Sequence, residues 1–335
     1  MKKIIALIVS LLIAAVAVCG CGVKTTQVQG LTKLRLAEVT HSVFYAPMYA
    51  AINNGFFEEH GIEIELTNAG GADMAMAALL SGTVDVAFMG AEASVYVINE
   101  GRQDAPVVIG QLTNCDGAFL VGREPEPDFR WENLIGKEII GGRKGGMPEM
   151  TLEYVLRMNG IDPAADVNID TSVQFNLMGG AFVGGQGDYV TLFEPTATEV
   201  AHQGQGYIVA SVGEASGTVP YTCFQVTSGY LAGNEELLTK FMTAIYKGQQ
   251  WADSHSDKEV AEAIVTSFPD TTIATLEMVV ANYRKIGAWS KTPVMSQESY
   301  ERLLDIIESV GELSGRPAYD KLINNTIAQK VSSAK

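Results

Sequence analysis

Loops that combine aromatic, acidic and glycine residues follow several of the predicted strands. The first is Thr40–Tyr45, in which His41, Phe44 and Tyr45 carry flat apolar faces with polar tips, and Ser42 adds a hydroxyl. Such side chains suit a planar ring, because aromatic groups stack while their polar ends form hydrogen bonds. The alternative interpretation is that Phe44 and Tyr45 start a helix and pack beneath it.

Two further loops lead into predicted helices. Asn68–Asp73 contains Gly71, and backbone amides at a helix start can bind an anion or a carbonyl group. Alternatively, Asp73 occupies those amides as an N-cap. Glu92 stands at the start of the next helix, where the helix dipole stabilises its charge whether or not it contacts a ligand.

The segment Gly141–Pro148 contains four glycines and opens a predicted helix, which indicates close approach of its backbone to another group. Lys144 is a candidate partner for an anionic ligand group, with a solvated surface position as the alternative, and Met147 is a candidate contact. The segment is not a nucleotide-binding P-loop, because no Gly-Lys-Ser/Thr follows the glycines.

Glu194 ends an apolar strand pattern directly before a proline. A carboxylate in such a place is costly unless it is paired or hydrogen-bonded. It could accept hydrogen bonds from ligand N–H groups, with Asp116 assisting, or it could form a salt bridge to Arg143 or Lys144. The remaining candidate ligand-binding residues are Asn114 and Tyr221.

The pattern of residues does not favour catalysis. The histidines at positions 41, 60, 202 and 255 show no metal-ligand spacing, and no Gly-x-Ser-x-Gly motif is present. The glycines of Gly179–Gly187 do not fit a dinucleotide-binding loop, so this segment is predicted to be a turn. We therefore predict no catalytic residues, no metal and no cofactor.

Strand and helix patterns alternate along most of the chain, which is typical of parallel βαβ units. Strands are predicted at Leu34–Val39, Ile62–Leu66, Val84–Met89, Val107–Leu112, Ala118–Gly122, Glu138–Gly142, Val167–Ile169, Gly187–Leu192 and Ile208–Val212. Helices are predicted at Ala46–Asn54, Asp73–Leu80, Ala93–Glu100, Met150–Met158, Asn234–Ala252, Lys258–Thr266, Ile273–Ile286 and Ser296–Val310.

We expect two lobes, one of which interrupts the other. The first comprises residues 34–116 and 224–330, and the second comprises residues 117–223. Crossings near 115–120 and 220–226 would form the hinge, with Thr222–Thr227 paired to Ala118–Gly122. Ligands of such folds bind in clefts at the lobe junction, beyond the carboxyl ends of the strands.

The first twenty residues have the features of an export signal. Two lysines precede an apolar run from Ile4 to Val18, which small residues and cysteines follow. The run resembles a bacterial lipoprotein signal in which Cys21, or alternatively Cys19, is lipidated, with a tether at residues 21–33. Cys115 and Cys223 could form a disulfide in an exported protein, although two buried free thiols are the preferred interpretation.

The overall composition narrows the class of partner. The chain has 335 residues, of which 47% are hydrophobic, enough for two lobes with cores of their own. Its formal net charge is −16, and no cluster of basic residues appears beyond the N-terminus. These features exclude nucleic acid as a partner, because phosphate neutralisation requires basic patches.

Four segments resemble one family of extracytoplasmic binding proteins. They are Tyr45–Leu66 with its Gly-Phe-Phe and acidic pair, Ala78–Ala87, Leu134–Glu138 and Tyr154–Ile161. The family comprises binding proteins for nitrate, taurine, aliphatic sulfonates and thiamine-pyrimidine precursors. The resemblance implies an α/β, two-lobed periplasmic-binding-protein type II fold, with a mostly parallel sheet in each lobe and a two-strand hinge that closes around the ligand.

The resemblance also implies a function and partners. We expect a monomeric lipoprotein on the extracytoplasmic face of the membrane, which delivers a small solute to an ABC permease and its ATPase. Phe44, Tyr45, Glu92, Asp116 and Glu194 favour a nitrogen heterocycle of the thiamine-precursor type as the solute. The alternatives are a sulfonate, taurine or nitrate, a ligand-sensing role, or, less favoured, a pyrimidine-synthesising enzyme.

Overall fold

Alternation of apolar and polar residues makes Thr32–Glu38 the first strand, β1, two residues before the predicted start of its lobe. The computed structural model describes residues 30–333, so the predicted signal peptide and both candidate lipidation cysteines lie outside the described residues. The other strands are β2 (Ile62–Asn68), β3 (Val86–Gly90), β4 (Pro106–Gln111), β5 (Phe119–Gly122), β6 (Glu138–Ile140), β7 (Asn168–Asp170), β8 (Tyr189–Leu192), β9 (Tyr207–Ser211) and β10 (Thr222–Thr227).

The helices surround these strands, and the C-terminal third of the described chain is almost entirely helical. They are α1 (Ala46–Asn53), α2 (Ala72–Leu80), α3 (Glu92–Asn99), α4 (Met147–Met158), α5 (Met178–Val183), α6 (Thr196–His202), α7 (Val212–Ser216), α8 (Ser228–Gly233), α9 (Glu235–Ser254), α10 (Asp257–Ile264), α11 (Ile273–Lys285), α12 (Gln297–Ser309), α13 (Tyr319–Leu322) and α14 (Thr326–Ser333). No helix among residues 30–333 is long and apolar enough to span a membrane.

The strands form two five-stranded sheets with the same topology. The first sheet has the order β2-β1-β3-β10-β4, and the second has the order β7-β6-β8-β5-β9. In each sheet the fourth strand, β10 or β5, runs antiparallel to both of its neighbours. This arrangement confirms the predicted two-lobed α/β fold with mostly parallel sheets. The exact lobe boundaries remain a prediction.

The predicted pairing of Thr222–Thr227 with Ala118–Gly122 is wrong. β10 lies between β3 and β4, whereas β5 lies between β8 and β9. The crossing segments themselves do meet, because the Val219 amide donates to the Asn114 carbonyl at 3.0 Å and the Tyr221 amide donates to the Thr113 carbonyl at 3.3 Å. The two crossings therefore pair through residues that precede the predicted segments in each crossing.

Two local expectations also fail. The glycine-rich segment at 179–187 is not simply a turn, because α5 continues through Val183 before the chain turns. Asp73 is not the N-cap of its helix, since Gly71 occupies that position and no side chain caps the helix.

The core of the first lobe is aromatic. Phe88 of β3 stacks on Phe224 of β10 with ring centroids 4.5 Å apart, and Phe241 of α9 packs edge-on against Phe224 at 5.3 Å. All three rings are fully buried, so they anchor the tail helices to the central strands. Cys115 and Cys223 are both buried and free.

Candidate ligand-binding cleft

A cavity lies between the lobes, at the carboxyl ends of β1, β2 and β3 on one side and of β6, β7 and β8 on the other. It holds about 590 Å³ of space when counted out to its open mouth. The first lobe lines it with Val39, Thr40, Tyr45, Gly70, Gly71, Ala72, Gly90 and Glu92. The second lobe contributes Arg143, Gly146, Met147, Pro148, Phe175 and Phe193, and the returning crossing contributes Tyr221 and Thr222.

Three helices direct their N-termini at this cavity. The helices α2, α3 and α4 begin beside Gly71, Glu92 and Gly146, all of which line the cavity. None of the three has a side chain that caps its first turn. Backbone amides at a helix start carry partial positive charge, so this wall of the cavity favours a carbonyl, a carboxylate or another anion, although the amides of α3 and α4 already act on the Glu92 carboxylate.

Glu92 is the buried acid of the cavity. Its side chain is 2% exposed, and its Oε2 atom has no hydrogen-bond partner within the described chain. Burial raises the pKa of the carboxyl to about 7, and backbone amides at the starts of α3 and α4 limit the rise. An unpartnered buried acceptor of this kind favours a ligand that donates a hydrogen bond to it.

A second acid lies behind the cavity, in the first crossing. Asp116 is fully buried, and its Oδ1 atom accepts a hydrogen bond from the Ala118 amide at 2.6 Å. Its Oδ2 atom and the hydroxyl of Tyr221 have no hydrogen-bond partners within residues 30–333. Burial raises the pKa of Asp116 to about 7, and the hydrogen bond from the Ala118 amide limits the rise. The Asp116 Oδ2 atom and the hydroxyl of Tyr221, which lines the cavity, are thus both available for further hydrogen bonds.

Arg143 supplies the positive charge of the cavity wall, a role that sequence reasoning assigned to Lys144. Arg143 lines the cavity and lies 3.9 Å from Asp73 across the cleft. The Lys144 side chain is 73% exposed and faces Glu312 at the surface, outside the cavity. Sequence reasoning named Arg143 only as a possible partner of Glu194, and adjacent cations in one loop give no signal of which points inward.

A second compartment adjoins the first. Thr40, Phe175 and Phe193 line both, and the two phenyl rings meet edge to face with centroids 4.9 Å apart. The second compartment holds about 700 Å³ of space counted in the same way. Its other lining residues are His41, Ser42, Asn68, Asn176, Gly179, Gly180, Thr191, Leu192, Glu194 and Thr196.

The charged groups of the second compartment are already satisfied. The Glu194 carboxylate accepts hydrogen bonds from the Thr198 amide at 2.8 Å, the Thr198 hydroxyl at 2.7 Å and the Asn282 amide group at 3.0 Å. It makes neither of the salt bridges considered for it. The His41 ring is bonded to Glu38 and to the Ser267 carbonyl, both at 2.8 Å, and the Glu38 contact raises its pKa.

Two of the remaining predicted residues have structural positions. Phe44 is fully buried in a 3-10 turn, where it packs against Phe193 and Tyr283, as its alternative interpretation held. Asn114 lies in the first crossing and lines neither compartment. Sequence reasoning missed Phe175 and Phe193 as cavity residues, because each follows a short strand that it could not register against its neighbours.

Of the predicted ligand-binding residues, the structure brings a subset together in the first compartment. These are Tyr45, Gly71, Glu92, Met147 and Tyr221. Three others, His41, Ser42 and Glu194, line the second compartment. Whether each residue contacts a ligand remains a prediction.

Solved structures with the same architecture come from several bacteria. The alkanesulfonate-binding protein SsuA of Xanthomonas axonopodis pv. citri, bound to MOPS, has a TM-score of 0.72 at 14% identity and covers 89% of this chain and 99% of that one. The periplasmic nitrate-binding protein NrtA of Synechocystis PCC 6803 has a TM-score of 0.69 at 16% identity and covers 90% and 88%. These likenesses define the fold class as that of the two-lobed periplasmic binding proteins.

The sequence comparisons give the family. The chain belongs to the NMT1-like family, whose model matches residues 30–266. A protein of Bacillus subtilis (strain 168) named "Putative binding protein YtlA" is 44% identical over 309 residues, which are 92% of each chain. These matches confirm the resemblance seen in Tyr45–Leu66 and the later segments. The three relatives described here are named as binding proteins, and none is named as an enzyme.

Proposed function

We propose that this protein is the solute-binding component of an ABC-type importer and that its solute is a planar, amino-bearing nitrogen heterocycle of the thiamine-pyrimidine-precursor type. The observation that carries the ligand assignment is the buried Glu92 carboxylate, whose Oε2 atom has no partner in the described part of the chain and lies in a cavity lined by aromatic rings. The names of the relatives support the binding role.

The chemistry of the cavity supports such a ligand. An amino group or protonated ring nitrogen would donate to Glu92 and remove the cost of its unfilled acceptor. The rings of Tyr45, Phe175 and Phe193 offer flat apolar faces to the heterocycle. The uncapped start of α2 offers donors to a ring nitrogen that accepts.

A binding experiment with matched variants tests this assignment. Isothermal titration with a hydroxymethyl-aminopyrimidine should give binding to the native protein and roughly tenfold weaker binding to Glu92→Gln, the scale of a hydrogen bond to a charged group. Glu63→Gln, at an exposed position on β2, serves as the control and should bind as the native protein does. Equal affinity in Glu92→Gln would overturn the role of Glu92.

A specific observation favours a second candidate, a sulfonate or nitrate. Arg143 and the uncapped starts of α2, α3 and α4 border the same cavity and suit an anion. If taurine, methanesulfonate or nitrate binds and the aminopyrimidine does not, this candidate replaces the first. Arg143→Ala should then lose most of the affinity, whereas the neighbouring Lys144→Ala should keep it, because Lys144 lies outside the cavity.

Export and lipid attachment are part of the proposal and derive from the sequence. Cys21 follows the apolar run and glycine precedes it, which favours it over Cys19 as the lipidated residue. Cys21→Ala should release the protein from the membrane fraction, while Cys19→Ala should leave it there, as fractionation and immunoblotting would detect. The reverse result would assign the lipid to Cys19.

A further inference from the structure

The two compartments of the cleft differ in the chemistry that they offer. The first contains Glu92 with an unpartnered oxygen, the Arg143 cation and the uncapped starts of three helices. In the second, both oxygens of Glu194 and both nitrogens of His41 already have partners. The second compartment therefore offers a ligand no free charge from its described residues.

What the second compartment does offer is a set of neutral hydrogen-bonding groups. The side chains of Thr40, Asn176 and Thr196 line it; Asn176 and Thr196 are exposed and Thr40 is half-buried, so all three are accessible to a ligand. A hydroxyl or a carboxamide both donates and accepts, which matches the hydroxyl groups of a ligand. A phosphate or carboxylate would instead need a cation or free amides there.

The shared wall of the compartments is aromatic. Phe175 and Phe193 line both compartments. Thr40, two residues after the end of β1, also lines both. A ligand that extends from the first compartment into the second would therefore place apolar C–H groups against these two rings and polar groups in the second compartment.

We infer that the cleft binds a two-part ligand, in which an amino-bearing ring occupies the first compartment and an uncharged, hydroxylated substituent occupies the second. This inference rests on the proposed function for the ring and adds the substituent, so the natural solute would be a nucleoside-like or polyhydroxylated heterocycle. It assigns specificity for the substituent to Thr40, Asn176 and Thr196.

Isothermal titration with cytosine, cytidine and cytidine monophosphate measures separately the contributions of the ring, of a hydroxylated substituent and of an added charge to the affinity. Cytosine is the ring alone, cytidine adds a neutral hydroxylated group, and the monophosphate adds charge. We expect cytidine to bind at least tenfold more tightly than cytosine, and the monophosphate to bind no more tightly than cytidine. Equal binding of cytosine and cytidine would overturn the inference, as would a monophosphate that binds tenfold more tightly than cytidine.

A variant that fills the second compartment provides an independent test of the inference. Gly180 lines this compartment, and a Cβ placed on it has no atom within 4 Å, so the larger side chain of Gly180→Leu can start there without a clash. We expect Gly180→Leu to reduce cytidine affinity to that of cytosine while leaving cytosine unchanged, and Asn176→Leu to have a smaller effect of the same sign. Gly233→Leu, at an equally open position of α8, is the matched control.

The failures of the two proposals are distinguishable. If cytosine binds and Glu92→Gln weakens it, but cytidine gains nothing, the proposed function stands and the two-part ligand is wrong. If none of the three probes binds while a sulfonate does, both proposals are wrong. If Gly180→Leu lowers cytosine and cytidine affinity equally, the second compartment does not hold the substituent and the inference fails.

Discussion

At the scale of the residue, Glu92 is held in place by the absence of a side chain two positions earlier. A Cβ atom at Gly90 would lie 1.9 Å from the Glu92 Oε2 atom and 2.6 Å from its Cδ atom. The carboxylate therefore folds back over the end of β3 only because residue 90 is glycine. This is a steric requirement, separate from any need for unusual backbone angles.

Gly90→Ala should therefore displace the Glu92 carboxylate while the fold persists. We expect affinity for an amino-bearing heterocycle to fall by roughly tenfold, similar to Glu92→Gln, because the same hydrogen bond is lost. Titration calorimetry measures the effect. Gly233→Ala, which adds a methyl group in open space outside both compartments, is the control, and unchanged affinity in Gly90→Ala would contradict the packing argument.

The raised pKa of Glu92 also predicts a pH dependence of stability. The folded state binds this proton more tightly than the unfolded state, whose carboxyl titrates near 4.5. The unliganded protein should therefore lose free energy of unfolding as the pH rises from about 4.5 to about 7, by up to about 3 kcal/mol from this group. Above pH 7 the cost is complete, and below pH 4.5 it is absent.

Glu92→Gln should remove this part of the pH dependence and stabilise the unliganded protein at pH 8. Urea unfolding of both proteins across this range provides the measurement, and Asp116, with its similarly raised pKa, contributes equally to both. The exposed Glu63→Gln variant should follow the native curve. If the free energy of unfolding of Glu92→Gln changed with pH as steeply as that of the native protein, the pKa of Glu92 would not be raised in the folded state.

At the scale of the element, the strands and most helices follow from periodicity, while strand partners do not. Ile62–Asn68 alternates clearly enough to be assigned from the sequence. The position of β10 could not be assigned, because its burial on all but its last residue fits any central strand. The helix α5 was missed because its two glycines suggest a turn, yet tertiary packing of Phe182 and Met178 retains it.

The candidate site shows the same limit. Tyr45, Glu92 and Met147 could be placed near the cleft because each lies at or directly before the start of a helix that follows a strand. The choice between Arg143 and Lys144 could not be made, because it depends on the path of the loop. That path turns at Gly142 and Gly145, both with positive φ, which sends adjacent side chains in different directions.

The close packing of α7 against the first crossing can be tested by a substitution at Gly213. Gly213, at the start of α7, lies against the first crossing, where an added Cβ would lie 2.0 Å from the Asp116 carbonyl oxygen. Gly213→Ala must push α7 away from the first crossing, so we expect a loss of about 2 kcal/mol or more in the free energy of unfolding. Denaturant unfolding would measure it, with Gly233→Ala as the control; a loss no larger than the control's would contradict this packing.

At the scale of the whole molecule, the lobes are tied by hydroxyl groups. The Ser42 hydroxyl donates to the Glu194 carbonyl at 2.6 Å, and the Tyr96 hydroxyl donates to the Gly145 carbonyl at 3.0 Å. The buried Tyr283 hydroxyl accepts from the Glu194 amide at 2.9 Å and donates to the Gly117 carbonyl at 3.2 Å. These bonds join the first lobe and its tail helices to the loops after β6 and β8 and to the first crossing.

Tyr283→Phe should weaken the contact between the lobes. It leaves the buried Glu194 amide without an acceptor, so we expect a larger radius of gyration in the unliganded protein and weaker ligand binding. Small-angle scattering with and without ligand measures both states. Tyr300→Phe loses a comparable bond to the Pro317 carbonyl within one lobe, and should match the native radius. An unchanged radius in Tyr283→Phe would mean that its hydroxyl does not hold the lobes together.

The placement of β10 has a consequence for the order in which the chain becomes structured during synthesis. Every strand of the second sheet is complete once Ser211 has been made, whereas β3 and β4 of the first sheet have no strand between them until Thr227 follows. The lobe that contains the beginning of the described chain is therefore the last to complete its sheet. A nascent chain stopped shortly after Ser211 should protect β5–β9 from proteolysis while β3 and β4 remain open to cleavage or to a chaperone.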